Sequence, residues 1–162
     1  MITQEFISTL TLNQKEIRRN LITRLYTKKL SHIGSCLVAL DIIEAIYQIK
    51  NENEKIVLSS GHSGIALYTV MEHHGLLTSQ VIDSLNIHPD LDPANGIYAS
   101  SGSLGQGLPI AAGMALANRS KRVFCVISDG ECAEGSIWET LRIVQEQKLN
   151  NLVIILNANG YG

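Results

Sequence analysis

Two apolar runs in this sequence each end in side chains that carry oxygen and stand beside glycine. Residues 123–127 lead into Ser128-Asp129-Gly130-Glu131, and residues 152–156 lead into Asn157-Ala158-Asn159-Gly160. Asp and Asn oxygens are ligands that a hard cation such as Mg²⁺ or Ca²⁺ prefers, and such a cation commonly bridges to a diphosphate. The pattern therefore indicates a metal and diphosphate site. The alternative is that Asp129 and Asn159 only form turns with the neighbouring glycines.

A second set of candidate residues consists of three histidines in segments that contain glycine or proline. These are His32, His62 and His88. An imidazole titrates near neutrality, so it can exchange protons with a hydroxyl group of a bound ligand. All three histidines are therefore candidates for acid–base chemistry. The alternative is that each one only bonds a loop carbonyl.

The elements that must position these residues follow from the spacing of apolar side chains. The pattern predicts helices at residues 13–29, 37–49, 65–74, 105–118 and 137–147, and strands at 55–58, 123–127 and 152–156. Strand, helix and strand over the last stretch predict a βαβ unit with parallel strands, at whose carboxyl ends ligands bind. Residues 85–103 follow neither period and predict an ordered, irregular loop. The expected fold is one α/β domain over 1–162, a parallel sheet flanked by helices.

Composition excludes several classes of function. The 162 residues are 45% hydrophobic, and a net charge of −2 is spread along the chain, so no basic stripe is available for nucleic acid. Three cysteines without CxxC spacing indicate a reducing compartment. The N-terminal residues lack a signal peptide pattern, and no apolar run is long enough to span a membrane. We expect a soluble, cytoplasmic protein without a membrane or nucleic-acid partner.

Four segments, in this order along the chain, resemble the transketolase family. They are 31–35 (SHIGS), 58–62 (LSSGH), 88–107, which contains HPD and SGSLGQG, and 129–159, which starts with Asp-Gly and ends with Asn thirty residues later. The last of these resembles the thiamine diphosphate motif of the family. Together they cover the chain from about residue 13. The resemblance implies the thiamine diphosphate-binding fold, in the form of its pyrophosphate-binding domain.

The same resemblance implies a cofactor and a metal, namely thiamine diphosphate with Mg²⁺ or Ca²⁺. The metal ligands would be Asp129, the side chain of Asn159 and the backbone carbonyl of Tyr161. Ser128 stands where the family has glycine, and we expect its N–H and hydroxyl to serve the diphosphate. The implied cofactor-binding residues are His62, Gly102, Ser103, Leu104, Ser128, Asp129, Gly130, Glu131 and Asn159. The family places matching histidines around the cofactor and the substrate, so the resemblance also implies that His32, His62 and His88 bind the substrate and handle protons.

Glu134 and Glu139 match positions at which related enzymes use glutamates at a subunit contact. The resemblance therefore implies an interface role for both. A second interpretation applies to Glu139, because Ser136 and Glu139 have the spacing of a helix capping box.

The implied activity is transfer of a two-carbon ketol unit from a ketose, expected to be phosphorylated, to an aldose. In this family the cofactor supplies the carbanion chemistry and the protein orients it. The glutamate that activates the cofactor belongs to a pyrimidine-binding domain, which this sequence lacks. We therefore expect a partner subunit that carries this domain, in a homo- or hetero-oligomer. Family chains continue beyond the motif, so we expect a truncated fragment, a split subunit or a degenerate relative.

Other enzyme classes and a non-catalytic role are alternatives to the transketolase activity. A 1-deoxyxylulose 5-phosphate synthase or a 2-oxo acid dehydrogenase component would share the metal motif, although Leu104-Gly105-Gln106-Gly107 and the three histidines favour transketolase. A non-catalytic binding or regulatory relative would keep the fold without the cofactor. The presence of both Asp129 and Asn159 argues against that alternative.

Overall fold

The computed structural model describes residues 10–160 and contains a three-stranded parallel sheet. Its strands are β1 (Lys55–Leu58), β2 (Val123–Ser128) and β3 (Leu152–Asn157), in the order β1-β2-β3. Ser128 of β2 is in register with Asn157 of β3, so the two strands end side by side. The predicted α/β class, the parallel sheet and the flanking helices are confirmed.

Residues 10–160 form six α-helices beside the sheet. They are α1 (Leu12–Thr27), α2 (Ile33–Ile49), α3 (Gly64–His73), α4 (Ser79–Ser84), α5 (Gly107–Ala117) and α6 (Gly135–Glu146), with short 3-10 helices at Gly61–Ser63, Pro93–Asn95 and Gly130–Ala133. The prediction missed α4, whose six residues are too few to show a helical period. It also began α2 four residues late, because a glycine at position 34 is typical of a break. Residue 34 instead lies in the first turn of α2.

The sheet separates two apolar clusters because successive side chains on a strand point to opposite faces. Phe124 and Val126 of β2 belong to the cluster that includes buried residues of α1, α2 and α3. Cys125 and Ile127 belong to the other, with buried residues of α5 and α6. All six residues of β2 are buried. This burial explains why β2 is a continuous apolar run rather than an alternating one.

The predicted capping box at the start of α6 is wrong. This helix begins at Gly135, its N-cap is Glu134, and no side chain caps it. Ser136 therefore lies inside the first turn, and its hydroxyl donates a hydrogen bond to the Gly105 carbonyl at 2.9 Å. The local pattern predicts that the Ser136 hydroxyl caps the helix, but this hydroxyl makes a tertiary hydrogen bond instead.

The predicted irregular loop at 85–103 is ordered by contacts with its neighbours. The Tyr68 hydroxyl of α3 donates to the Asn86 carbonyl at 3.0 Å, and the Ser101 N–H donates to the Pro89 carbonyl at 2.9 Å. Gly64 packs so closely that a Cβ at its position would lie 2.2 Å from the Ile87 carbonyl oxygen. The loop is therefore fixed against the start of α3, close in sequence to His62.

The three cysteines are free thiols. Burial raises the pKa of Cys36 to about 11 and raises that of Cys125 further still, so both behave as small apolar side chains. Between residues 10 and 160, none of the helices has the length and apolar content that crossing a membrane requires.

Candidate active site

A cleft of about 690 Å³ lies at the carboxyl end of the sheet. Ligands bind at this end of parallel sheets, because strand ends and helix N-termini present polar groups there. The structure gathers residues from both halves of the chain around the cleft. Its lining residues are His32, Gly34, Ser35, His62, Leu104, Ser128, Asp129, Gly130 and Asn159.

Asp129 connects the ends of β2 and β3. Its backbone N–H donates to the Asn157 carbonyl at 3.2 Å. Its carboxylate accepts the N–H of Gly130 on Oδ1 at 3.1 Å and the N–H of Gly160 on Oδ2 at 2.7 Å. Asn159, which precedes Gly160, lines the same cleft. The two oxygen-bearing side chains predicted from the strand ends are brought together.

The donor chemistry here suits a hard cation, because a residue with a carboxylate and a residue with an amide oxygen line the same cleft. Within residues 10–160, no group of three or more His, Cys, Asp or Glu side chains is placed to hold a metal ion. A cation here would therefore depend on Asp129, Asn159 and ligands from outside this set. Tyr161, predicted as the third protein ligand, lies outside the described residues.

The predicted histidines form a group at this cleft and the small cavity beside it. The ring centroids of His32 and His62 are 5.0 Å apart, with the rings tilted by 46°. His88 joins both of them around an adjoining cavity of about 130 Å³. The structure therefore brings all three together, although they come from three separate segments of the sequence.

The electrostatic setting of His62 favours a neutral imidazole. Burial lowers its pKa below the ordinary value of 6.5, and the neighbouring His32 and His88 lower it further, while the carboxylate of Glu131 opposes the shift. A neutral imidazole has one nitrogen that can accept a proton, as a general base requires.

His32 has a backbone conformation that the sequence pattern does not reveal. It is the residue before α2, and its φ of 63° and ψ of 30° lie in the left-handed region, with no side-chain cap. This conformation costs a residue other than glycine about 1–2 kcal/mol, and such costs cluster at functional sites. The turn places His32 at the cleft next to His62.

Ser128 and Glu131 make different contacts from those expected. The Ser128 N–H and hydroxyl both donate to Glu131 Oε2, at 2.9 and 3.3 Å. The groups expected to serve a diphosphate are therefore already in use. Glu131 itself has no exposed surface. A cofactor contact by either residue would require these hydrogen bonds to be exchanged.

The segment 102–107 reaches the cleft through Leu104. Gly102 and Ser103 are exposed beside it, and a Cβ at Gly102 would lie 3.4 Å from the ring of His88. Gly107 rests on Ser59, whose hydroxyl accepts its N–H at 3.1 Å. Sequence reasoning missed Ser59, which resembles the other small residues of its loop. Its place within the LSSGH segment is the signal that could have found it.

Glu134 and Glu139 are both exposed near the start of α6, together with Trp138. Trp138 is 62% exposed, and its indole N–H donates to the Cys132 carbonyl at 2.8 Å. An exposed tryptophan between two acidic residues is compatible with a subunit contact. The interface role of the glutamates stays a prediction.

Comparison with known proteins gives a family match over nearly the whole chain. The model of the family described as 1-deoxy-D-xylulose-5-phosphate synthase matches residues 4–162. The chain is 31% identical over 174 residues to an apulose-4-phosphate transketolase subunit from Phocaeicola vulgatus, covering 94% of this chain and 62% of that protein. It is 36% identical over 152 residues to human transketolase, covering 81% of this chain and 24% of that protein.

A third relative is the 6-deoxy-6-sulfo-D-fructose transketolase subunit SqwG of Clostridium sp. strain MSTE9. It is 32% identical over 149 residues, which are 79% of this chain and 54% of that protein. This chain thus spans less than two thirds of the length of these relatives.

Solved structures agree on the fold. Transketolase from Pichia stipitis, as the R525L mutant, superimposes with a TM-score of 0.81 over 94% of this chain and 28% of that chain, at 21% identity. Transketolase from Leishmania mexicana superimposes with a TM-score of 0.78 over 91% of this chain and 27% of that chain, also at 21% identity. At this level of identity the likeness establishes the architecture.

Proposed function

Since this chain belongs to the transketolase family, we propose that it is the diphosphate-binding half of a thiamine diphosphate-dependent transferase. The proposed reaction moves a two-carbon ketol unit from a ketose, expected to be phosphorylated, to an aldose. One observation carries the proposal. Asp129 and Asn159 carry side-chain oxygens that can bind a metal, and these two residues, which follow β2 and β3, line the same cleft as His32 and His62.

The residues around the cleft fit the cofactor that the family uses. When bound, thiamine diphosphate would supply the carbanion chemistry. Asp129 and Asn159 would hold Mg²⁺ or Ca²⁺ against the diphosphate, and Tyr161 would add its carbonyl. Gly130 would allow the backbone to approach closely, because it carries no Cβ. Leu104, which lines the cleft, would contact the cofactor by apolar packing.

The histidines would act on the sugar. The lowered pKa of His62 supports a role as proton acceptor from a substrate hydroxyl. His32 and His88 would donate hydrogen bonds to sugar oxygens. This assignment rests on their shared position around the cleft and the adjoining cavity.

The proposed enzyme requires a pyrimidine-binding domain, and we propose that a second chain supplies it. Two relatives are named as subunits, which supports a two-chain arrangement. The exposed surface at Glu134, Trp138 and Glu139 is the proposed contact, in a homo- or hetero-oligomer. The three free thiols support a cytoplasmic location.

Calorimetric titration of Mg²⁺ and thiamine diphosphate tests the proposal. The cofactor is titrated into this chain alone, and then into its mixture with a candidate pyrimidine-domain protein from the same genome. Binding in the mixture supports the split enzyme, and the Asp129→Ala variant should abolish it. Absence of binding in both titrations rejects the proposed cofactor site and favours a non-catalytic relative.

The description of the matching family model favours a second candidate, a 1-deoxy-D-xylulose-5-phosphate synthase activity. The two candidates differ in product. Formation of 1-deoxy-D-xylulose 5-phosphate by the assembled enzyme would support the second, and transfer of a two-carbon ketol unit between sugars would support the first.

A further inference from the structure

Glu131 is a buried carboxylate that accepts four hydrogen bonds beside the cleft. Its Oε1 accepts the Ser59 hydroxyl at 2.5 Å and the Gly105 N–H at 2.9 Å. Its Oε2 accepts the N–H and the hydroxyl of Ser128 at 2.9 and 3.3 Å. These donors come from the end of β1, the segment before α5 and the end of β2. One side chain therefore joins three separate parts of the fold around the cleft.

The pattern of donors requires two acceptor oxygens. Hydroxyl groups can rotate, but the N–H groups of Gly105 and Ser128 are fixed by the backbone and point at different oxygens. A glutamine at position 131 would place an amide NH₂ against one of these N–H groups in either orientation. An unmatched buried donor is costly. Glutamate is thus specified by its chemistry and not only by its size.

The same carboxylate lies at the start of α5. The N-cap of this helix, Gln106, makes no capping hydrogen bond with its side chain. Instead the N–H of Gly107 donates to Ser59 Oγ, which in turn donates to Glu131. Helix N-termini attract anions through free N–H groups and the helix dipole. Here that anion belongs to the protein itself.

We propose that Glu131 is a positioning residue, an internal anion that fixes both the segment 102–107 and the turn 128–130 before a cofactor binds. The part that concerns the cofactor rests on the proposed function. With the N–H groups of Gly105, Gly107 and Ser128 in use, the cleft would contact a cofactor through Leu104, Asp129 and Gly130.

Amide exchange measured by NMR on the cofactor-free chain tests the positioning itself. In Glu131→Gln, exchange should accelerate at least about tenfold at Gly105, at Ser128 or at both, because at least one of these N–H groups loses its acceptor and local opening controls exchange. The matched control is Glu146→Gln, which removes a carboxylate from an exposed pair with Arg142 on α6. Unchanged exchange at both amides in Glu131→Gln would overturn the proposal.

Two milder variants keep the test valid if Glu131→Gln does not fold. Ser59→Ala removes the acceptor of the Gly107 N–H, so exchange at Gly107 should accelerate while exchange at Ser128 stays within about twofold. Ser128→Gly removes only the 3.3 Å hydroxyl contact and should leave the Gly105 amide protected. Equal protection of Gly107 in wild type and Ser59→Ala would contradict the network.

Cofactor affinity in the presence of the partner subunit separates positioning from general stability. At a temperature where both proteins are fully folded, Glu131→Gln should weaken the Kd for Mg²⁺ and thiamine diphosphate at least about tenfold. A lower Tm with an unchanged Kd would mean a structural role only and would overturn the positioning claim. If the wild-type chain binds no cofactor, the proposed function fails, and the exchange experiment still decides the role of Glu131.

Discussion

The N–H of Gly160 donates to Asp129 Oδ2 at 2.7 Å, which joins the loop after β3 to the end of β2. Asp129 Oδ1 accepts the N–H of Gly130, so each carboxylate oxygen is oriented by the backbone. Both oxygens keep lone pairs for a cation. Asp129 therefore both shapes the loop that carries Asn159 and presents a negative charge to the cleft.

Replacing Asp129 with Asn should separate these two roles. The amide oxygen can still accept the N–H of Gly160, and the N–H of Gly130 that loses its acceptor is only partly buried, but the amide lacks the charge that attracts a divalent cation. We expect the Kd for Mg²⁺ with thiamine diphosphate to weaken at least about 100-fold, while Tm changes little. Calorimetry of the assembled protein measures this. Asp83→Asn, at a surface pair with Lys28, is the control and should bind as wild type does. If Asp129→Asn binds Mg²⁺ and thiamine diphosphate as tightly as wild type does, Asp129 is not a metal ligand.

His62 should titrate below the ordinary histidine pKa of 6.5, mainly because of burial and next because of His32. Its imidazole is then charged in the unfolded chain at a pH where it is neutral in the folded one. As pH falls below 6.5, the unfolded state binds more protons, so His62 lowers the free energy of unfolding. NMR titration of the ring proton measures the pKa directly.

The His32→Asn variant provides the comparison for His62. Removing the neighbouring imidazole should raise the pKa of His62 only in part, since burial is the larger cause. His73→Asn, which changes a histidine away from the cleft, should leave it unchanged. A titration of His62 at or above 6.5 in the wild-type chain would show that its surroundings are more open than the structure has them.

Glu54 should make stability depend on acid pH. Its carboxylate is bound by the Arg122 guanidinium at 2.6 and 2.9 Å, and this contact lowers its pKa from 4.5 to about 2. The stabilising effect is present above pH 4.5 and is lost as pH falls toward 2. In urea unfolding across this pH range, the free energy of unfolding should fall less in Glu54→Gln than in wild type. If it falls by the same amount in both proteins, the Glu54–Arg122 contact does not stabilise the fold.

Two glycines of α5 should respond in opposite directions to alanine. A Cβ at Gly107 would lie 2.5 Å from the Ser59 Cα, whereas a Cβ at Gly113 has nothing within 4 Å. Gly107→Ala should lower the free energy of unfolding by about 1–3 kcal/mol through overpacking. Gly113→Ala should raise it by about 0.5–1 kcal/mol through helix propensity. Urea unfolding measures both. If both substitutions stabilise the protein, α5 lies farther from the end of β1 than the structure shows.

Several features could be predicted because they depend on neighbours in sequence. The apolar run 123–127, between polar segments, predicts a buried strand, and the parallel sheet with its flanking helices is confirmed. Asp129 and Asn159 closely follow their strands, so parallel pairing places them at one edge. The family could also be identified from four motifs, and the family match over 4–162 together with the transketolase relatives confirms it.

Local patterns failed where a long-range contact competed. Ser136 has the spacing of a helix cap, yet its hydroxyl bonds Gly105, 31 residues away. The short helix α4 has no period to detect. The left-handed backbone at His32 could not be predicted from residue type, because histidine adopts this region more often than most residues do but still rarely.

The sequence by itself determined the main elements, their parallel arrangement and the polar residues at the strand ends, since all of these follow from apolar periodicity and chain direction. Only the tertiary structure decided which polar groups are already in use. Ser59 and Glu131 are 72 residues apart, and Gly105 and Glu131 are 26 apart, so no spacing rule links them. Their meeting depends on how α5 packs against β1 and β2. That packing makes Glu131, a glutamate in an ordinary turn sequence, the buried anion that joins three parts of the fold around the cleft.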